Sequence, residues 1–439
     1  MTEDILSQLL GGAWRDPETG APLTVPTRAV VIADDLDGME AGLVAGLGLG
    51  RRLAVVSDAT TREVLGRRVE RALSAVAEVT ATVLPGRPHA DAATAARLRA
   101  ATASADALIA VGSGTINDLC KYAGALDGRP YAVFGTAPSM NGYTSVNAAI
   151  TVDGHKSSLP AQAAAGVFLD LRVLAAAPPR MIRSGLGDSL CRPTAQADWL
   201  LAHLLLDRPY REAPYALLAA DEAALFAEPE ALMAGDIEAM RRLARTLVLS
   251  GFGMTLCGGS HPASEGEHLI AHYGEMMGDP AWPETFHGEQ IGVATLTMAR
   301  LQARMLGGDP PQLGPTVADE AAVLRHFGAA LGRSCWREFA AKRLDDAGAE
   351  ALNARLATRW DEIRRRIGAI VRPADELEAV LRRAGAPTAP AELHWPPAFY
   401  SAAVLHAREI RDRYTFLDLA GDAVDPGLGA LVETLPELR

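Results

Sequence analysis

Cysteine is scarce in this sequence. Only four occur in 439 residues, Cys120, Cys191, Cys257 and Cys335, and no two of them form a CxxC pair. This spacing argues against a disulfide framework and against a cysteine-rich zinc module. The four thiols instead fit a protein of the reducing cytoplasm.

Blocks of basic residues and long apolar runs are also lacking. The formal net charge is -12, with no long block of Lys and Arg, so we expect no nucleic acid as partner. The acidic start, MTEDILSQLLGGAWRD, has no basic region followed by a long apolar one, and no apolar run reaches membrane-spanning length. We therefore expect a soluble, cytoplasmic protein that is not bound to a membrane. Its length, with 49% hydrophobic residues, suffices for two domains.

Short apolar runs of strand length recur through the first part of the sequence. They begin near Arg28, Arg52, Ala81, Ala107 and Pro130, and each ends in turn-forming residues. Amphipathic, alanine-rich segments such as TREVLGRRVERALSAVA separate several of these runs. The alternation predicts a parallel sheet covered by helices, with ligands bound at the carboxyl ends of the strands.

The composition changes after about Leu186. Long stretches rich in Ala, Leu and Arg follow, with few β-branched runs. Such stretches are typical of helices. The sequence thus predicts an α/β domain over residues 1–183 and an all-helical domain over residues 184–439.

The stretch VGSGTINDLCKYAG joins the fourth apolar run to an amphipathic segment. Gly112 and Gly114 would let a ligand approach the backbone closely, and a helix opened at Thr115 would offer its N-terminus to a phosphate. A dinucleotide is the natural ligand for such a turn. Because the spacing differs from GxGxxG, a tight strand-to-helix turn without a ligand explains the pattern equally well.

Two further segments follow neighbouring apolar runs. Asp58 ends the second run, where its carboxylate either accepts hydrogen bonds from a ribose or caps a helix. The segment GTAPSMNGYTSVNAAI leaves the fifth run as a small, hydroxyl-rich loop. This loop and the glycine turn leave nearby strands, and two such loops indicate a binding cleft more strongly than one loop does.

Histidines cluster in one short region, which contains His261, His268, His272 and His287. A helix that begins near Glu265 would place His268 and His272 one turn apart on one face, a spacing suited to a metal or acid–base site. Asp188, which we interpret as lying at the start of a helix, either supplies a carboxylate to that metal or only caps the helix. The pattern alone leaves open which three residues bind.

Together these segments resemble the glycerol-1-phosphate dehydrogenase family, a branch of the fold shared by 3-dehydroquinate synthase, glycerol dehydrogenase and iron-containing alcohol dehydrogenases. The resemblance rests on GSGTINDLCKY, TAPSMNGYTS, GLGDSL with ADW, GEHLIAH and HGEQIGVAT, in that order between Val30 and Leu301. It implies an α/β domain that binds NAD or NADP, a helical domain that binds one divalent metal, and an active site in the cleft between them. The implied reaction is reduction of dihydroxyacetone phosphate to sn-glycerol 1-phosphate, or formation of a closely related polyol phosphate.

The resemblance also assigns roles to single residues. Asp188, His268 and His287 match the metal ligands, and His272 matches a residue that contacts the substrate and could relay a proton. The metal would polarise the substrate carbonyl as hydride arrives. The positions that match cofactor contacts are Asp58, Gly114, Thr115, Ile116, Asn117, Asp118, Thr136, Ala137, Pro138, Ser139 and Ser145.

Three positions depart from the family pattern. Asn141, which we group with His272 as a candidate catalytic residue, stands where relatives carry an aspartate that contacts the substrate; an amide has no negative charge and takes no proton. His261 replaces an arginine and Glu265 replaces a small residue, changes that would weaken phosphate recognition if both side chains face the cleft. Supporting or surface roles are the alternative for these two residues.

Three hypotheses therefore stay open: the dehydrogenase, a 3-dehydroquinate synthase-like cyclase that uses NAD catalytically, and a non-catalytic ligand-binding homologue. For the metal we expect zinc, with nickel and iron as alternatives, since mixed nitrogen and oxygen ligands suit all three. Asp58 would repel a 2′-phosphate, which favours NAD over NADP. A homodimer is expected from the resemblance alone.

Overall fold

The computed structural model of the protein describes residues 4–436. The chain divides into two compact units. The first contains the chain up to Val152 together with Ser157–Ser189 and Arg211–Ser260, and the second contains Asp153–Lys156, Leu190–Tyr210 and the chain from His261 onward. These units interleave along the sequence, whereas the boundary between residues 183 and 184 is a single cut, which stays a prediction.

The first unit is built on a parallel sheet. The strands of the described chain are β1 (Ala29–Ala33), β2 (Arg52–Asp58), β3 (Glu78–Leu84), β4 (Ala107–Gly112), β5 (Tyr131–Gly135), β6 (Asn147–Val152), β7 (His155–Pro160), whose first two residues belong to the second unit, and β8 (Gly166–Asp170). Six of them form a sheet in the order β1-β8-β5-β4-β2-β3, and every neighbouring pair is parallel. The expected α/β fold is confirmed, and each of the five apolar runs contributes a strand.

The central strands of this sheet are completely buried. Every residue of β4, β5 and β8 is buried, as is usual when helices cover both faces of a parallel sheet. Ile109, Phe134 and Phe168 pack in one cluster with Val69 and Leu73. The sequence analysis missed β8, because a five-residue apolar run beside an alanine-rich segment has the same periodicity as part of a buried helix.

The carboxyl ends of β2, β4 and β5 meet at one edge of the sheet. Gly112 at the end of β4 is paired in register with Gly135 at the end of β5, and β2, which ends at Asp58, is the neighbour of β4 on its other side. Ligands of open α/β sheets bind at this edge. The fold therefore brings together, within the first unit, the three segments predicted to contact a cofactor.

Helices make up the remainder of the regular structure. They are α1 (Ile5–Leu10), α2 (Glu40–Ala45), α3 (Ala59–Thr61), α4 (Arg67–Leu73), α5 (Ala92–Ala101), α6 (Gly114–Asp127), α7 (Leu171–Ala175), α8 (Pro179–Leu190), α9 (Arg192–Leu206), α10 (Ala213–Ala216), α11 (Ala219–Ala227), α12 (Pro229–Met233), α13 (Ile237–Cys257), α14 (Gly266–Met277), α15 (His287–Gly307), α16 (Glu320–Phe327), α17 (Ala329–Ala340), α18 (Asp346–Gly368), α19 (Ala374–Ala384), α20 (Pro397–His406), α21 (Phe416–Gly421) and α22 (Leu428–Val432). Across residues 4–436, none of these helices combines the length and apolar character that a membrane crossing requires.

The second unit packs its helices around α15. Val293 and Met298 of α15 are completely buried, in one cluster with Leu201 of α9, Ile270 of α14 and Leu417 of α21. This packing fixes α14 and the start of α15, the two places that carry the clustered histidines. The later part of the chain is helical, as predicted, and the packing of its helices holds these histidines in position.

Candidate functional site

The turn after β4 leads directly into α6. Ser113 occupies the N-cap position, and its side chain makes no capping hydrogen bond. The first amide groups of α6 therefore have no side-chain cap, and they carry the partial positive charge that favours a phosphate. Packing within the protein also requires glycine at position 112, because a Cβ there would lie 2.6 Å from the Cβ of Ile116. The glycine is thus required by the helix itself, whatever the turn binds.

Lys121 of α6 holds the loop that follows β5. Its side chain is completely buried, and its Nζ donates to the carbonyl oxygen of Gly142 at 2.6 Å, to Ser145 Oγ at 2.9 Å and to the carbonyl oxygen of Asn147 at 2.9 Å. Burial lowers the pKa of Lys121, and Asp118, 3.6 Å away, opposes that effect. One buried ammonium therefore ties the glycine-turn helix to the hydroxyl-rich loop.

The polar residues predicted to contact the cofactor take part in the same arrangement. Asn117 is completely buried, and its Nδ2 donates to Asp118 Oδ1 at 3.1 Å. Asp118 Oδ2 in turn accepts from the backbone N–H of Ala149 at 3.1 Å. Asn117 and Asp118 thus support the loop through hydrogen bonds within the protein, and a direct cofactor contact by either residue stays a prediction.

The loop after β5 is fixed at several further points. The N–H of Thr136 donates to the carbonyl oxygen of Gly112 at 3.1 Å, Tyr143 donates to that of Ala137 at 2.7 Å, and Ser184 donates to that of Ser139 at 2.9 Å. A Cβ at Gly185 would overlap the carbonyl oxygen of Pro138. Thr136, Ala137, Pro138 and Ser139 therefore lie in a rigid segment beside the α6 N-terminus.

Asp58 caps a helix, as the simpler of its two predicted roles requires. Its Oδ1 accepts from the N–H of Thr61 at 2.8 Å, and the Thr61 Oγ1 accepts from the N–H of Asp58 at 3.0 Å. This reciprocal capping box fixes the carboxylate at the end of β2. A contact with a ribose would use the other carboxylate oxygen and stays a prediction.

Asp188 does not start a helix, and that expectation from the sequence was wrong. It lies in the last turn of α8, since the next helix begins only at Arg192, with Pro193 in its first turn, where proline is tolerated. Asp188 therefore cannot act as an N-cap. Its buried carboxylate accepts from the backbone N–H of Asn141 at 2.8 Å, which ties it to the same loop.

Three of the four clustered histidines lie together in the second unit. The ring centroid of His268 is 5.9 Å from that of His272 and 5.2 Å from that of His287, and the His272 and His287 centroids are 5.5 Å apart. His268 and His272 are one turn apart on α14, as predicted, and both are buried. His287 is the first residue of α15. Three imidazoles at such distances are suited to a shared metal and substrate site.

Two carboxylates orient these rings. Glu267 Oε1 lies 2.8 Å from His268 Nδ1, and Glu275 lies 3.1 Å from Nδ1 of both His272 and His287. Because a carboxylate only accepts hydrogen bonds, each of these Nδ1 atoms carries a proton. Nε2 is then the ring atom through which each imidazole would bind a metal or accept a proton.

The electrostatics of Glu275 and His272 favour an ionised acid beside a neutral base. Burial alone would raise the pKa of Glu275, but the charge of Lys156, 3.7 Å away, and the hydrogen bonds from His272 and His287 hold it well below its usual range. Burial also holds the pKa of His272 well below its ordinary value, and the bond to Glu275 opposes this only in part. His272 is therefore neutral at pH 7.

Within the second unit, two groups of side chains could each hold a metal ion, Cys191 with Glu267 and His268, and His272 with Glu275 and His287. The first group contains His268 and the second contains His287, the two histidines predicted as metal ligands. The third predicted ligand is Asp188. Cys191 packs with Ala271 and Ile291 in a small apolar cluster, so its thiol serves as a core residue.

The two remaining departures are neighbours. His261 is half exposed, stacks on Trp199 with ring centroids 5.9 Å apart, and contacts Glu265 Oε1 through Nδ1 at 3.1 Å. Glu265 is 2% exposed, and Arg413 lies 3.7 Å from the same oxygen. The carboxylate of Glu265 thus lies near the positive charge of Arg413, which is distant from it in the sequence.

Sequence reasoning missed Lys121, Lys156, Glu275 and Arg413. Lys121 lay within the quoted glycine motif, and a lysine on the buried face of an amphipathic helix is a usable signal. Glu275, seven residues after His268, shares its helix face and could have been found in the same way. Lys156 and Arg413 carry no such signal, because only the tertiary fold brings them near the histidines.

Comparison with known proteins adds independent information. Residues 31–178 match the sequence profile of a family described as iron-containing alcohol dehydrogenase. The chain is 31% identical over 275 residues to glycerol-1-phosphate dehydrogenase [NAD(P)+] of Thermococcus kodakarensis, covering 62% of this chain and 77% of that protein. It is 27% identical over 414 residues to the Bacillus licheniformis protein of the same name, covering 93% and 92%. Glycerol dehydrogenase from Schizosaccharomyces pombe has the same fold, with a TM-score of 0.62 at 16% identity over 93% of this chain and 87% of that one.

Proposed function

The chain belongs to the glycerol-1-phosphate dehydrogenase family, and on that premise we propose that it uses NAD(P)H and a divalent metal to reduce dihydroxyacetone phosphate to sn-glycerol 1-phosphate. Relatives named for this activity and the iron-containing alcohol dehydrogenase profile support a metal-dependent NAD(P) oxidoreductase. Zinc as the metal, NAD as the preferred cofactor, a homodimer and a cytoplasmic location are the finer parts of the proposal.

The residues at the carboxyl edge of the sheet fit a dinucleotide. The uncapped N-terminus of α6 would bind the pyrophosphate, and the loop held by Lys121 would line the nicotinamide end. Asp58, fixed by its capping box, would accept from the ribose hydroxyls. The predicted contacts Gly114 to Asp118, Thr136 to Ser139 and Ser145 all belong to these segments.

The histidine pair fits a divalent metal. The imidazoles of His268 and His287, whose Nδ1 atoms are held by Glu267 and Glu275, would bind the metal through their Nε2 atoms. We assign His268 and His287 as ligands with Asp188 as the third, a donor set that leaves net positive charge on a bound ion. When bound, such an ion supplies Lewis acidity that polarises a carbonyl and lowers the pKa of the alcohol.

His272 and Asn141 would act on the substrate itself. With its Nδ1 proton held by Glu275, neutral His272 can accept a hydrogen bond or a proton at Nε2. The Asn141 side chain makes no hydrogen bond to another residue in the described part of the chain, while its backbone N–H is bound to Asp188. Its amide is therefore available to a substrate hydroxyl, which an amide can serve both as donor and as acceptor.

The observation that carries the proposal is the set of three buried or half-buried imidazoles whose Nδ1 atoms all point at carboxylates. The test is a spectrophotometric assay of purified, metal-analysed protein with NADH or NADPH, using dihydroxyacetone phosphate and dihydroxyacetone as substrates. We expect stoichiometric, metal-dependent NADH loss with the phosphate ester. His268→Ala and His287→Ala should abolish it, whereas His89→Ala, which alters an exposed histidine, should not.

The same assay separates the other hypotheses. A 3-dehydroquinate synthase-like cyclase would use NAD without net consumption, so the NADH concentration would not fall over many turnovers. A binding protein would bind NADH and turn over nothing. An Asn141→Asp variant is assayed beside the wild type. If only the variant is active, the scaffold is competent and the natural substrate differs from dihydroxyacetone phosphate. If neither the wild type nor the variant oxidises NADH, the dehydrogenase hypothesis is refuted.

A further inference from the structure

Arg411 is a buried guanidinium without an ion pair. It follows the turn Ala407–Ile410 and is 8% exposed. Among residues 4–436 it forms no salt bridge, and its hydrogen bond, from Nη2 to the carbonyl oxygen of Lys156, is long at 3.4 Å. A buried charge normally has a partner, because removing an ion from water is costly unless other charges or hydrogen bonds compensate.

Arg408, three residues earlier, is a buried arginine whose charge and hydrogen-bond donors have partners in the fold. It is 5% exposed, its Nη2 donates to Asp422 Oδ1 at 2.7 Å, and its Nη1 donates to the carbonyl oxygen of Asp418 at 3.0 Å. Its charge and its hydrogen-bonding geometry are thus both used within the fold. Arg411, which is also buried, forms no salt bridge within residues 4–436 and only the one long hydrogen bond to Lys156, so its planar donor fork can still bind an anion.

The position of Arg411 places that anion beside the histidines. Its guanidinium contacts the backbone of Lys156, and Lys156 Nζ lies 3.7 Å from Glu275, whose carboxylate bonds to His272. The preceding residue is also fixed, because His155 Nε2 lies 3.4 Å from the carbonyl oxygen of Ile410. A short series of direct contacts therefore links Arg411 to the residue proposed to contact substrate.

Two of the three acids near Arg411 have other partners. Glu265 is shared between His261 and Arg413, and Glu275 between Lys156 and two imidazoles. Burial, and then the neighbouring charge of Arg413, lower the pKa of Arg411 to about 10, while the charges of Glu338, Glu265 and Glu275 oppose this effect, and Arg411 stays protonated at pH 7. Within residues 4–436, none of these acids forms a salt bridge with Arg411, so its guanidinium keeps its donors for a bound anion.

We propose that Arg411 binds the phosphate group of the substrate and thereby selects phosphorylated over unphosphorylated ketoses. This inference rests on the proposed function. The guanidinium fork matches a phosphate with two parallel hydrogen bonds, and the Lys156 ammonium stands nearby as a second cation. The substrate class is accordingly a small ketone that bears a phosphate dianion.

The test compares Arg411→Gln and Arg411→Lys with the wild type and with Arg337→Gln, which removes an exposed charge from α17. For each protein, kcat/KM is measured with dihydroxyacetone phosphate and with dihydroxyacetone, and KM with NADH and with NADPH. Stabilisation by inorganic phosphate is measured separately by thermal shift, which needs no turnover. Arg411→Lys keeps charge and approximate volume, so it serves if the glutamine variant does not fold.

We expect Arg411→Gln to lower kcat/KM for dihydroxyacetone phosphate by about 10- to 100-fold, the range for a lost hydrogen bond to a charged group, with a smaller loss for Arg411→Lys. Activity with dihydroxyacetone, KM for both cofactors and the behaviour of Arg337→Gln should not change. The phosphate-induced shift in Tm should disappear in Arg411→Gln.

Two results would overturn the inference: equal losses with both ketones, or an unchanged phosphate shift in the variants. A changed KM for NADPH alone would assign the anion to the cofactor and also contradict it. If the wild type oxidises NADH with neither ketone, the proposed function fails, while a phosphate shift that depends on Arg411 would still support the anion site.

Discussion

Glu275 Oε1 lies 3.1 Å from Nδ1 of His287, and its second oxygen lies at the same distance from Nδ1 of His272. One carboxylate thus fixes the tautomer of a proposed metal ligand and of a proposed substrate contact at once. Carboxylates behind ligating histidines raise ligand basicity and fix the ring, and their loss commonly costs about 10- to 100-fold in metal affinity.

The first prediction concerns this carboxylate. Glu275→Gln keeps the shape of the side chain but removes the charge, so zinc affinity should fall about 10-fold or more. The measurement is competition with a chelating dye, on protein whose fold is checked by circular dichroism. Glu350→Gln, an exposed change on α18, is the control and should bind zinc like the wild type. Equal affinities for the two variants would show that Glu275 does not position a ligand.

The second prediction concerns Lys121. Lys121→Met fills the space but removes three hydrogen bonds made by a buried charged group, which should destabilise the fold by about 2–4 kcal/mol and raise KM for NADH. Leu119→Ala, at a buried position on the same helix, should cost a similar free energy of unfolding, about 2–5 kcal/mol. If Leu119→Ala raises KM for NADH as much as Lys121→Met does, the loop contacts are not the cause.

The third prediction concerns cofactor preference. Asp58→Ser keeps a capping side chain but removes the negative charge, so the ratio of kcat/KM for NADPH to that for NADH should rise by about 10-fold, equivalent to about 1.4 kcal/mol. Asp91→Ser is the matched control, because Asp91 caps α5 in the same way. An unchanged ratio in Asp58→Ser would remove Asp58 from the ribose site.

The fourth prediction concerns acid stability. The hydrogen bonds from the Arg52 side chain and from the N–H groups of Arg52 and Arg51 lower the pKa of Asp106 to about 2. Since the folded state favours the ionised form, the contribution is complete above the unfolded pKa of about 3.9 and is lost as pH falls toward the folded value. Urea midpoints of Asp106→Asn should therefore lie below those of the wild type at pH 7.

The difference in midpoint should stay constant down to about pH 4 and narrow below it. Asp361→Asn, an exposed change on α18, is the control for the loss of one acidic side chain. A midpoint difference that grows on acidification would contradict the assignment, because it would mean that the carboxylate is favoured in the unfolded chain.

Much of the fold could be predicted because its signals are local. The apolar runs that became β1 to β5 each end in turn residues, and their alternation with amphipathic segments allows only a parallel sheet. Helical spacing likewise placed His268 and His272 on one face. The start of α9 was misjudged because Asp188 in GLGDSL looks like a cap, whereas Pro193 marks the true first turn.

The rest of the candidate site depends on contacts between distant parts of the chain. Arg411 approaches Lys156 across 255 residues, and no local pattern reports such a pair. Lys121 and Glu275 show the intermediate case, since helical periodicity places them on the relevant face. The acceptors of Lys121 follow β5, and Glu275 bonds to His287 of α15 as well as to His272 of its own helix. Sequence reasoning therefore found the residues that carry chemistry more readily than those that orient them.

Metal dependence is tested most directly by a zinc titration of metal-free protein, with bound metal and NADH oxidation by dihydroxyacetone phosphate measured on the same samples. We expect no activity without metal and a linear rise to a plateau at about one equivalent per chain, as one site requires. Full activity in the metal-free protein, or saturation with metal and no NADH oxidation with any ketose phosphate, would contradict it.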